Sequence, residues 1–102
     1  MIFTKMLASE MPGLYQSEGK KDPIARHKFF MFGTLWYWFP IEFDGKDTFF
    51  GLVINETNVE MGYFSFSELQ KLRGPMGQEV QVDLDFEPMP ISNILEGVQV
   101  IR

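Results

Sequence analysis

The chain contains no cysteine. Disulfides, cysteine-ligated zinc and thiol chemistry are therefore excluded. It has a single histidine, His27. A lone imidazole without neighbouring ligand residues neither defines a metal site nor completes a catalytic triad, so its ordinary reading is surface or packing. No stretch approaches the roughly 18 uninterrupted apolar residues of a membrane helix. Residues 1–10 carry an acid at position 10 and no long apolar centre, so they do not read as a signal peptide. Repeats and low-complexity segments are absent. So are a phosphate-binding loop, a dinucleotide fingerprint, a His-Glu zinc motif and a nucleophile elbow. Cations are scarce in the second half: residues 51–102 hold three Lys/Arg against eight Asp/Glu, whereas residues 1–50 hold six of each. The whole net charge of −5 thus lies beyond residue 50. That balance disfavours duplex DNA, which needs cations against phosphate. These absences lead to the expectation of a cytoplasmic protein with no cofactor, no metal and no membrane association.

What is present fits one domain spanning residues 1–102. Aromatic residues make up 16% of the chain, and 11 of them are Phe, enough to dominate a modest core. Residues 64–77, Phe-Ser-Phe-Ser-Glu-Leu-Gln-Lys-Leu-Arg-Gly-Pro-Met-Gly, specify a short helix at 66–73 with both ends marked. Ser65 is the N-cap and Glu68 completes a capping box, with Phe64 and Leu69 as a hydrophobic staple. Gly74 supplies a positive-φ stop, Pro75 forbids continuation and Arg73 suits the C-terminal dipole.

The rest reads mainly as strands. Thr4–Met11 predicts a short N-terminal helix, followed by a turn at Pro12-Gly13. Ile24–Phe32 predicts a strand, and Gly33-Thr34 turns into a second at Leu35–Phe43. That second strand is apolar on both faces, which requires cover on both sides or a partner on one. Pro40 within it implies an edge or a bulge. Asp44-Gly45 is a hairpin signal, leading to strands at Thr48–Asn55 and Val59–Phe64. Glu79–Glu87 alternates apolar and acidic residues and predicts a half-buried strand. Ile91–Leu95 predicts a helical turn and Val98–Ile101 a last strand. The pattern implies an α+β fold with a central antiparallel sheet of about five strands.

An ordered series of segments resembles a bacterial family known as domain of unknown function 2958, over nearly the whole chain. Pro12-Gly13-Leu14-Tyr15 with Ser17-Glu18 is similar to its N-terminal Pro-Leu-Tyr segment. Lys28-Phe29-Phe30 and Trp36-Tyr37-Trp38 resemble its next aromatic block, followed by Glu42-Phe43-Asp44-Gly45 and Phe49-Phe50-Gly51. Met61-Gly62-Tyr63-Phe64-Ser65, Ser67-Glu68-Leu69, Arg73-Gly74-Pro75 with Gly77, Asp83, and Phe86-Glu87-Pro88 complete the series. Where the family usually has Glu-Arg before the aspartate, this chain has Gln81-Val82. The resemblance implies small proteins of plasmids, phages and other mobile elements, and no reaction.

Several residues invite chemistry. Asp83, Asp85 and Glu87, with Glu79, alternate onto one face. Paired carboxylates bind hard cations, although no EF-hand loop is present and a solvated acidic face is the ordinary reading. Trp36 and Trp38, near the cations Lys20, Lys21, Arg26 and Lys28, suggest stacking on single-stranded nucleic acid. Core filling is the competing reading. Arg73 is expected to pair with a carbonyl or with Glu60 or Asp83. An enzyme reading needs Glu42, Glu60, Arg73 and Asp83 to converge in one pocket. The favoured expectation is a non-catalytic binding or modulator protein with a protein partner, sharpest as an inhibitor of a host enzyme acting on nucleic acid. Single-stranded nucleic acid is the alternative partner, and homodimerisation through an apolar strand edge stays open. The binding candidates are Trp36, Trp38, Glu42, Glu60, Arg73, Asp83 and Asp85.

Overall fold

The computed structural model describes residues 11–16, 19, 21–56 and 58–101. Among these, β1 is Ile24–Ala25, β2 Phe29–Met31, β3 Tyr37–Phe43, β4 Thr48–Ile54 and β5 Val59–Ser65. Helix α1 spans Phe66–Lys71, β6 Val80–Val82, β7 Met89–Pro90 and helix α2 Ile91–Ile101. The fold is α+β, mostly strand: a five-stranded antiparallel sheet ordered β5-β4-β3-β2-β6, and a small sheet of β1 with β7. The N-terminal helix expected over Thr4–Met11 lies outside the described residues, apart from Met11, which is not helical.

Local chemistry sets the turns. At the β3–β4 turn the Asp44 carboxylate accepts from the N–H groups of Lys46, Asp47 and Thr48 at 2.8–3.1 Å. Gly45 takes φ +85° there, a conformation that costs an L-residue more. At the β2–β3 turn, Thr34 donates its hydroxyl to the Met31 carbonyl at 2.8 Å, and that hydroxyl accepts from the Trp36 N–H at 3.2 Å. These bonds occupy residues 34–36, so β3 begins at Tyr37 rather than Leu35.

Strands β2 to β5 form a meander. The chain then leaves one sheet edge at β5 and returns at the other as β6, so α1 and its exit segment cross one face. Under them lies a core of Phe29, Met31, Trp38, Phe49, Phe64, Leu69 and Val80. The opposite face is covered by α2 and the small sheet, over a second core of Ala25, Phe39, Leu52, Ile54 and Ile94. The double-sided apolar character of β3 is thus explained: neighbouring residues Trp38 and Phe39 serve different cores. Three stacked Phe rings run through the first, with Phe49 5.3 Å from Phe64 and 4.5 Å from Phe43.

Pro40 marks a bulge, not an edge. It pairs with Gly51, and the next rung is Glu42 with Phe50, so Ile41 is the extra residue. With no N–H at Pro40 the ladder toward β2 breaks. The Pro40 carbonyl instead accepts from the Arg26 N–H at 3.0 Å. This divides the strand expected at Ile24–Phe32 into β1, paired with β7, and β2.

Three further expectations are corrected. The strand read over Glu79–Glu87 stops at Val82, because the Asp83 carboxylate accepts the Asp85 N–H at 3.0 Å and turns the chain. Leu84, placed by alternation on the core face, is exposed. The strand expected at Val98–Ile101 is helical: α2 continues unbroken from Ile91. Apolar positions 91, 94, 95 and 98 follow the helical period, and packing of Ile91, Ile94 and Leu95 on the second core outweighs the β-propensity of Val98, Val100 and Ile101. The helix expected at 66–73 ends at Lys71, and its cap residue Leu72 is extended at φ −68°, ψ 135°.

 That extended geometry ends the helix without a left-handed residue. Gly74 is therefore not the positive-φ stop. A Cβ there would meet the end of the Gln78 side chain and lie 2.7 Å from Met31 Sδ, so those two side chains would have to shift to admit one. The N-cap is as read: Ser65 Oγ accepts the Glu68 N–H at 3.0 Å, and Phe64 and Leu69 share the first core.

Candidate functional site

Trp36 and Trp38 lie on the α1 side of the sheet, edge to face at 6.4 Å and 89°. Trp38 is 7% exposed within the first core, and Trp36 packs against it. Lys28 does not share their face. Lys28 Nζ stands 5.2 Å over the ring of Tyr37, which points the opposite way from Trp38. Lys21 is exposed, and Arg26 Nε is buried without a hydrogen-bond partner. Lys20 lies outside the described residues.

Glu42 is 3% exposed, and its Oε1 accepts the Tyr15 N–H at 2.9 Å. Tyr15 has φ 70°, the one positive value at a non-glycine among the described residues. Glu60 is exposed on β5, opposite Val53. Arg73 Nη1 donates to the carbonyls of Gln70 and Leu72 at 2.7 and 2.9 Å, closing the end of α1. Its acidic partner is Glu79 at 3.2 Å, rather than Glu60 or Asp83. Asp83 lies 3.8 Å from Lys28, and Asp85 is exposed in the turn beyond. Glu60 and Asp83 belong to opposite sheet edges, about 19 Å apart at ordinary strand spacing. Glu42, Glu60, Arg73 and Asp83 therefore share no pocket. Among the described residues no group of three or more His, Asp or Glu is placed to hold a metal ion, and no helix is long and apolar enough to cross a membrane.

Two features escape the sequence reading. The first is a pinned tip. Gln78 donates its amide to the Phe32 carbonyl at 3.0 Å and accepts the Met76 N–H at 2.8 Å. One side chain thus ties the β2–β3 turn to the turn at 74–77. Gly33 and Gly77 hold these turns at φ +76° and +78°. The residues they present are apolar: Phe32 is 78% exposed and Met76 88%. The hint in the sequence is a large apolar residue beside a turn glycine at both places.

The second is a cleft of about 360 Å³ between the second sheet face and α2. Tyr37, Phe39, Ile54 and Ile94 form its apolar walls, with Lys28 and Gly97 also lining it. No local signal reveals it, since its walls come from distant parts of the chain.

A family model described as "Protein of unknown function (DUF2958)" matches residues 3–99. No curated protein and no solved structure matches the chain.

Proposed function

We propose, from the premise that the chain belongs to the DUF2958 family of proteins of unknown function, that it is a non-catalytic binding protein whose Phe32–Met76 tip engages a protein partner. The observation that carries this is the exposure of both side chains on turns already fixed by Gln78. Exposed Phe and Met are enriched in interfaces, and pre-ordered turns lower the entropy lost on binding. The net charge of −5 favours encounter with a basic partner. The resemblance to proteins of plasmids and phages suggests a cytoplasmic setting and a host enzyme acting on nucleic acid, whose basic surface suits an acidic inhibitor. Burial of Trp38, with Lys28 on the other face, lends less support to single-strand binding.

The test compares wild type with a Phe32→Asp, Met76→Asp double variant as bait in host lysate. Wild type is expected to retain a stoichiometric protein that the variant loses, while both melt at similar temperatures. Failure to retain any stoichiometric protein, or equal retention by the variant, overturns the proposal.

A further inference from the structure

We propose that the cleft between the sheet and α2 binds a small ligand with an apolar body and an anionic head, the head meeting Lys28. Three observations carry it. The volume, about 360 Å³, falls within the range of about 300–1,000 Å³ common to small-molecule sites. The walls are apolar, and Lys28 is the one cation among the lining residues. Its ammonium is held over the Tyr37 ring and forms an ion pair with Asp83 at 3.8 Å. These contacts orient it, and an ammonium with three N–H donors can serve an incoming acceptor beside that pair. The lining carboxylate, Glu56, is exposed beyond the end of β4, where water screens its repulsion.

Gly97 supplies the third observation. It lies inside α2, where glycine costs about 0.5–1 kcal/mol relative to alanine. Packing does not demand it, because a Cβ at 97 would meet no atom within 4 Å. It lines the cleft, so the missing side chain leaves space for the ligand.

The probe is 8-anilinonaphthalene-1-sulfonate, an apolar anion whose fluorescence rises on burial. Saturable one-to-one binding is expected, with amide shifts at Tyr37, Ile54 and Ile94 in NMR spectra. Gly97→Leu fills the space and Lys28→Met removes the charge, and each is expected to weaken binding about tenfold without lowering the melting temperature. Absence of saturable binding, or binding unchanged by either variant, overturns the proposal. So does binding abolished by Phe32→Asp with Met76→Asp, which places the dye on the tip. A failed lysate capture leaves this result unaffected, because the two surfaces are separate.

Discussion

At the residue scale, two glycines on one rung have opposite demands. Gly51 and Gly62 pair across β4 and β5. A Cβ on Gly51 would collide with the Phe39 carbonyl and lie 2.8 Å from Pro40 Cα, both backbone at the bulge. A Cβ on Gly62 would meet nothing within 4 Å. Gly51→Ala is therefore expected to destabilise by about 3 kcal/mol or more, whereas Gly62→Ala gains about 0.5–1 kcal/mol from reduced unfolded-state freedom. Urea unfolding of both variants measures the contrast, and equal effects contradict the bulge geometry. Asp44 makes a pH prediction. Backbone N–H donors at Lys46, Asp47 and Thr48 hold its carboxyl below the usual 3.8. A depressed folded pKa gives stability that is present above pH 3.8 and is lost as pH falls through the lower folded value. Asp44→Asn should thus be less stable than wild type at neutral pH, and the gap should close in acid. A gap that is constant with pH contradicts a role for the charge.

At the element scale, α1 shows how a six-residue helix holds its place. So short a helix is marginal alone, so its start is fixed from outside. Ser65 Oγ accepts from Glu68, and the Asp47 carboxylate accepts the Ser67 N–H and hydroxyl, each at 2.8 Å. Ser65→Ala is expected to cost about 1 kcal/mol, read as a lower urea midpoint with an unchanged slope. No change would assign the start of α1 to Asp47 alone. This cap was legible because its bonds join residues three apart. The Asp44-Gly45 turn is legible for the same reason, since Asp44 accepts from N–H groups two to four residues on. The elements read wrongly are those settled by distant groups or competing side chains. Alternation over Glu79–Glu87 ignored the capture of the Asp85 N–H by Asp83. The β-branched end of α2 concealed a helix held by the second core. The tip and the cleft depend on Gln78 reaching Phe32 and on Gly97 lying near Lys28, neither of which local pattern encodes. The candidates Glu42, Glu60, Arg73 and Asp83 were chosen by residue type, and topology scattered them.

At the scale of the whole molecule, the sheet is a middle layer shared by two cores. Strand β3 contributes Trp38 to one and Phe39 to the other, so neither core can loosen without disturbing the same backbone. This predicts that the described elements unfold as one cooperative unit. Tryptophan fluorescence reports the first core, because Trp36 and Trp38 both lie there. Far-UV circular dichroism reports the helices as well, including α2 on the other face. The two signals are expected to give one urea midpoint. Ile94→Ala, at the contact between α2 and the second core, is expected to cost about 2–4 kcal/mol. Phe49→Ala in the first core is expected to cost about 3–5 kcal/mol. Both variants should move the fluorescence and dichroism transitions together, although Ile94 is remote from the tryptophans. Loss of helical signal in Ile94→Ala at a urea concentration that leaves the fluorescence native would show instead that α2 undocks by itself. The cleft would then open with it, and ligand binding would fall before the sheet unfolds.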